Sequence, residues 1–86
     1  MYQVLISNRA SKALEKIADD VYPRIVERIR NLASNPRPKG CKKLKGRSGY
    51  RIRIGDYRII YDIENDKLVV LIIEIGHRKD IYKIFP

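Results

Sequence analysis

Three arginines at alternating positions around a tight turn, and a His-Arg pair followed by a tyrosine, are the residues best suited to chemistry in this 86-residue chain. In Tyr50-Arg51-Ile52-Arg53-Ile54-Gly55-Asp56-Tyr57-Arg58-Ile59-Ile60-Tyr61, the Gly-Asp pair is a two-residue turn signal between alternating runs, which predicts a β-hairpin. With Gly55 and Asp56 in the loop, Ile54 pairs with Tyr57 and Arg53 with Arg58, and each pair shares a face because the strand period is two. Tyr50, Ile52, Ile54, Tyr57, Ile59 and Tyr61 then form an apolar face, and Arg51, Arg53 and Arg58 lie together on the opposite one. Like charges directly across strands cost up to about 1 kcal/mol, so stability alone would not select Arg53 opposite Arg58. Arginine stems shielding the sheet with their heads in water is the plain structural explanation. Three convergent guanidiniums also match the oxygens of an oligonucleotide phosphate, and we favour that role.

The second constellation is Gly76-His77-Arg78-Lys79-Asp80-Ile81-Tyr82. A lone histidine is usually a surface or satisfied residue, but its neighbours give this one a context. Arg78 can stabilise charge on a phosphorane, Tyr82 can stack on or orient a base, and an imidazole at position 77 can move protons. No carboxylate cluster accompanies the arginines: Asp56 is a turn residue, and Asp62, Glu64 and Asp66 run toward the opposite end, so no metal site is expected. No cofactor is expected either. Phosphodiester chemistry without a metal needs RNA, whose 2′-OH supplies the nucleophile.

The charge distribution favours the same class of partner. The net charge is +9, and between Arg37 and Arg58 nine cations (Arg37, Lys39, Lys42, Lys43, Lys45, Arg47, Arg51, Arg53 and Arg58) face one anion, Asp56. Nearly all the excess therefore sits in the middle of the chain, the footprint of a polyanion-binding surface. The longest apolar run, Leu68 to Ile73, is far short of the roughly 20 residues of a membrane-spanning helix. No secretion signal is visible, and Cys41 is the only cysteine, which excludes an internal disulfide. A cytoplasmic location is expected.

The elements that must position these residues follow from periodicity. Tyr2 to Ser7 reads as a first strand, and Ser7 or Asn8 caps a helix with Ala10, Ala13, Leu14, Ile17 and Ala18 on its apolar face. Asp19-Asp20 breaks it. Pro23 starts a second helix, with Val21, Ile25, Val26, Ile29, Leu32 and Ala33 on its inner face, and the Asn35 to Gly40 segment ends it. After the lysine-rich segment Lys42 to Lys45 and the arginine hairpin, a turn at Asn65-Asp66 leads to a strand from Lys67 to Ile75, apolar on both faces and hence central, ended by Gly76. Lys79 to Phe85 reads as a terminal helical turn anchored by Ile81, Ile84 and Phe85. The expectation is a single α+β domain over 1–86: an N-terminal strand and a helical hairpin on a small antiparallel-rich sheet, with a short C-terminal helical turn.

Lys43-Leu44-Lys45-Gly46, Gly49-Tyr50-Arg51-Ile52-Arg53, Asp56-Tyr57-Arg58-Ile59-Ile60-Tyr61 and Ile75-Gly76-His77-Arg78-Lys79-Asp80-Ile81-Tyr82, in this order and spacing, resemble the RelE/ParE superfamily of type II toxin–antitoxin toxins, RelE-like branch, across essentially the whole chain. The resemblance implies the same compact fold. For the RelE branch it implies a ribosome-dependent endoribonuclease that cuts mRNA in the ribosomal A site. There the 2′-OH attacks the adjacent phosphate and leaves a 2′,3′-cyclic phosphate, and a cognate antitoxin wraps the toxin in a hetero-oligomer. By position, it implies that Arg58 stabilises the transition-state charge, Arg78 assists the leaving oxygen and Tyr82 stacks on or orients the substrate. Lys42, Lys43, Lys45 and Arg47 would bind message or ribosomal RNA. Arg51 and Arg53 fall where RelE-type enzymes often carry lysines, and guanidinium is a poor general base, so the alternatives are His77 as the base or a site that is mainly electrostatic and slow.

Two other functions share this fold or charge. One is a ParE-like inhibitor of DNA gyrase, acting by protein contact with no nuclease site. The other is a non-catalytic basic RNA-binding module, which would show a steep salt dependence and no cleavage. The grouping of Arg51, Arg53, Arg58, Arg78 and Tyr82 favours the nuclease.

Overall fold

The computed structural model describes residues 1–85. Eight elements follow one another: β1 (Gln3–Ile6), α1 (Asn8–Glu15), α2 (Tyr22–Asn31), β2 (Lys42–Lys43), β3 (Tyr50–Ile54), β4 (Tyr57–Glu64), β5 (Val69–His77) and α3 (Arg78–Ile84). The strands form one sheet in the order β1-β5-β4-β3-β2. β1 runs parallel to β5, and every other pairing is antiparallel. This is the expected α+β architecture, with three helices on a five-stranded sheet.

The N-terminal hairpin of helices is started by its caps. Ser7 is extended and its hydroxyl accepts from the Ala10 N–H at 3.1 Å, satisfying one of the four free donors of α1. Pro23 sits in the first turn of α2, where a missing N–H costs nothing. Ala10, Ile25, Ile29 and Leu32 pack with Ile52, Ile54, Ile59, Tyr61, Val70, Ile72 and Ile75 into the main core. The face predicted for the helical hairpin is thus the face it covers. Ala18, expected on the inner face of α1, is instead exposed, because the helix ends at Glu15 and only Ile17 turns back into the core.

The arginine hairpin has the predicted register: Ile54 opposite Tyr57, Ile52 opposite Ile59, and Arg53 opposite Arg58. Gly55 takes a φ of +58° in its turn, a conformation glycine adopts without a Cβ penalty. On the outer face Ile60, Ile81 and Phe85 form a second, smaller core with Leu44 and Ile73 at its border. Ile84, expected as a third anchor, is exposed.

Three boundaries differ from expectation. Lys42–Lys43 forms a short edge strand, because the Gly49 carbonyl accepts from the Leu44 N–H at 3.0 Å and closes a hairpin onto β3. A Cβ on Gly49 would lie 3.1 Å from Leu44 Cδ1 and 3.2 Å from the Tyr61 carbonyl, so this close approach needs glycine. Strand β5 begins at Val69 rather than Lys67, since Leu68 turns with a φ of +53°. It also continues through Gly76 to His77.

Gly76 and His77 pair with Arg58 and Tyr57, and a bulge shifts the alternation within β5. Ile60 faces Glu74 and the next residue, Tyr61, faces Ile72, so β5 carries one extra residue. Ile72 and Ile75, three apart, therefore both enter the main core. The Ser7 hydroxyl donates to the Ile73 carbonyl at 2.8 Å, holding the extra residue from the start of α1. Glu74, nearly buried, pairs with Arg9 of α1 at 2.7 Å.

Candidate nucleic-acid interface

The outer face of β3 and β4 gathers the candidate residues around Tyr82. Arg51 and Arg58 place their guanidinium carbons 5.6 and 5.7 Å from the Tyr82 ring centroid. Arg58 is the centre of the group. It is only 3% exposed, its Nη1 donates to the carbonyls of Gly55 at 2.8 Å and Tyr57 at 2.9 Å, and its Nε donates to the Tyr82 hydroxyl at 3.2 Å. Among the described residues no carboxylate pairs with it. A buried cation held by carbonyls and a phenol, with no counter-charge, is costly unless an anion completes it. Stems spread over the sheet with heads in water therefore describe the exposed Arg53, not Arg58.

Tyr82 is the titratable group that this arrangement alters. The hydrogen bond from Arg58 holds its phenol below the ordinary tyrosine value, against a smaller opposing effect of burial, and the charges of Arg58, Arg51 and Arg53 add to the lowering. Its ring comes from α3, which packs against β4 and β5. Gly76 lies opposite Arg58, and a Cβ there would sit 3.4 Å from two side-chain carbons of Ile81.

Arg78 lies at the edge of the group. Its backbone N–H donates to the Asp56 carbonyl at 2.7 Å, tying the start of α3 to the hairpin turn, and its Nε is 3.9 Å from an Asp56 carboxylate oxygen. Both side chains are largely exposed, so this ion pair is weak and leaves Arg78 available. Arg47 stacks over Phe85, with its guanidinium carbon 4.5 Å from the ring centroid. Lys42 faces Arg51 across the strands, and Lys42, Lys43, Leu44, Lys45 and Arg51 line a cleft of 330 Å³. Lys43 is opposite Tyr50 in register, and its ammonium lies 5.4 Å from that ring.

His77 is not brought to the arginines. The bulge moves it, with Ile75, to the helix-covered face, where it lies opposite Tyr57 and meets that ring edge-on at 6.0 Å. Its Nδ1 accepts from the Lys79 N–H at 3.2 Å and caps α3. The imidazole thus has a structural task on the far side of the sheet. Without the bulge, strict alternation would have put position 77 on the arginine face.

No group of three His, Cys, Asp or Glu residues among those described is placed to hold a metal. What the outer face offers is a set of guanidiniums, a responsive phenol and flanking lysines, which suits binding an oligonucleotide phosphate and stabilising charge on it.

Residues 4–82 match the model of the ParE toxin family, type II toxin–antitoxin system, parDE. The chain belongs to the RelE/ParE superfamily of type II toxins. Toxin RelE3 of Methanocaldococcus jannaschii is 34% identical over 89 residues, spanning 98% of this chain and 99% of its own. Toxin RelG of Mycobacterium tuberculosis is 29% identical over 84 residues, spanning 95% and 97%. The archaeal RelE–RelB complex from Pyrococcus horikoshii OT3 superposes with a TM-score of 0.80 at 32% identity, covering 90% of this chain and 94% of that one. This superfamily toxin therefore carries the α+β fold that its sequence predicted.

Proposed function

We propose that this type II toxin cuts mRNA on the ribosome by attack of a 2′-OH on the neighbouring phosphate, without a metal. The observation that carries the proposal is the buried Arg58 guanidinium, which lacks a carboxylate partner among the described residues and is aimed at Tyr82 beside Arg51. In the step, the 2′-oxygen forms a bond to phosphorus and the bond to the 5′-oxygen breaks. Arg58, with Arg51 and Arg53, stabilises the added charge on the phosphorane, and Arg78 stabilises the departing 5′-oxygen, which takes its proton from water. The 2′-OH proton passes to Tyr82, whose phenolate form the arginines favour. This assigns to Tyr82 the base role for which the sequence offered His77.

A cognate antitoxin is the proposed partner, supported by the relative from P. horikoshii, which was solved as a RelE–RelB complex. The ribosome and its message are the proposed substrate assembly. The test adds purified protein to ribosomes translating a defined message and maps the ends by primer extension. Cuts within A-site codons, dependent on ribosomes and lost with Arg58→Ala, support the proposal. Intact message at saturating protein rejects it.

One observation favours a second function, inhibition of DNA gyrase: the matching family model is that of the ParE toxin. It predicts DNA damage with intact message. The relatives above are RelE and RelG toxins, and gyrase inhibition has no use for the Arg58–Tyr82 pair.

A further inference from the structure

We propose that the open edge of β1 receives a second copy of this chain: two β1 strands pair antiparallel about a two-fold axis at Leu5 and join two five-stranded sheets into one. β1 is an outer strand, and among the described residues it pairs only with β5. The Gln3 N–H donates to the Leu68 carbonyl at 2.8 Å and the Ser7 N–H to the Ile72 carbonyl at 2.9 Å. By alternation, the odd-numbered residues of β1 direct their backbone groups to β5, and the N–H and C=O of Val4 and Ile6 point to the open edge. The two ends of the sheet are unlike. β2, at the far end, is Lys42–Lys43, whose charges discourage strand addition. β1, Gln-Val-Leu-Ile, carries no charge. Its shortness also blunts an edge, but that does not call for exposed leucines.

A second copy fits because the pattern of β1 is its own complement. With Leu5 on the axis, Val4 faces Ile6 of the second copy and Ile6 faces its Val4, and each pair exchanges both backbone hydrogen bonds. Leu5 then meets Leu5 of the second copy in the closer, non-hydrogen-bonded type of pair. Leu5 is 43% exposed and stands beside Leu71, 37% exposed, so the pairing lines up four leucines across the joined sheet and covers them. Charge permits the approach in a chain of net charge +9. Arg9, the cation nearest to β1 in sequence, is paired with Glu74. The arginines lie on β3 and β4, and the two copies of β4 are five strand spacings apart, about 24 Å, or roughly three Debye lengths at physiological salt. An axis perpendicular to the sheet turns both arginine faces to the same side and leaves both open.

The experiment combines sedimentation equilibrium of the full chain between roughly 10 µM and 1 mM with cysteine cross-linking in a Cys41→Ser background. A short strand contact belongs to the weak class of interfaces, so half-dimerisation is expected near roughly 100 µM. Leu5→Cys should form a covalent dimer under mild oxidation, whereas Gln3→Cys, on the same face but about 14 Å from its counterpart in this register, should not. Leu5→Lys places like charges on the axis and should weaken the dimer roughly tenfold or more, with a matching thermal melt to establish that it is folded. A parent chain that stays monomeric at 1 mM, equal cross-linking at positions 3 and 5, or a folded Leu5→Lys chain that dimerises undiminished would overturn the proposal. So would a monomeric chain whose Val4 and Ile6 amides are protected from exchange only by a strand of another protein, which assigns the edge to that partner. Intact message on ribosomes leaves the dimer untouched, since nothing in it depends on RNA.

Discussion

At the residue scale, Arg58 and Tyr82 are joined directly: the guanidinium is fixed by two carbonyls of its own turn and donates from Nε to the phenol. Replacing Arg58 by Ala removes a charge-stabilising donor and is expected to cost about 10²- to 10³-fold in cleavage rate, measured in single turnover on ribosomes. Because arginine lowers the Tyr82 ionisation, the phenolate fraction and hence the rate should rise with pH and level off below the ordinary tyrosine value. Tyr82→Phe should remove that limb. The other altered phenol has a structural role. Tyr61 is fully buried, its hydroxyl donates to the Pro36 carbonyl at 2.7 Å, and burial pushes its ionisation up. A raised folded value favours the protonated form, so the stability it gives is complete below about pH 10, where a free tyrosine titrates, and declines above it. Tyr61→Phe should cost about 1–2 kcal/mol at neutral pH, read by urea unfolding, and flatten the alkaline decline.

At the element scale, the site depends on a seven-residue helix and one bulge. The start of α3 is capped by His77, so His77→Ala should lower cleavage by loosening Tyr82, while His77→Asn, a residue that caps well, should recover most of it. A catalytic base would not be rescued by Asn, and the pH limb would vanish with it, so rate–pH profiles of both variants separate the two roles. Ser7 caps α1 and holds the bulge carbonyl of Ile73, so Ser7→Ala should cost about 1–2 kcal/mol, a fall of roughly 4–16 °C in thermal midpoint. The hairpin register, and with it the common face of Arg51, Arg53 and Arg58, was legible from alternation and the Gly55-Asp56 turn alone. The side on which His77 falls was not. It depends on one extra residue in β5, and an uninterrupted apolar run such as Leu68 to Ile73 gives no sign of where alternation slips. The short β2 strand was equally hidden, because Lys42-Lys43 has little strand propensity and pairs only through the close turn at Gly49.

At the scale of the whole molecule, the sheet separates two tasks. One face takes the helical hairpin and supplies the main core, and the other carries the smaller core under α3 together with the cations. Arg51, Arg53 and Arg58 thus rest on strands rather than on a loose loop, which keeps them in place. The net charge of +9 gives the face a long-range attraction for polyanions that should weaken steeply with salt, a dependence checked by titrating RNA into the protein between 50 and 200 mM salt. The central claim is attack by a 2′-OH on this outer face. Its most direct measurement supplies ribosomes with a message carrying a single 2′-deoxynucleotide at the cut position and analyses the 3′ ends of the products. Attack by the 2′-OH gives no cleavage at the deoxy position and a 2′,3′-cyclic phosphate at the same position in the all-ribose message. Cleavage of the deoxy message at an undiminished rate would contradict it.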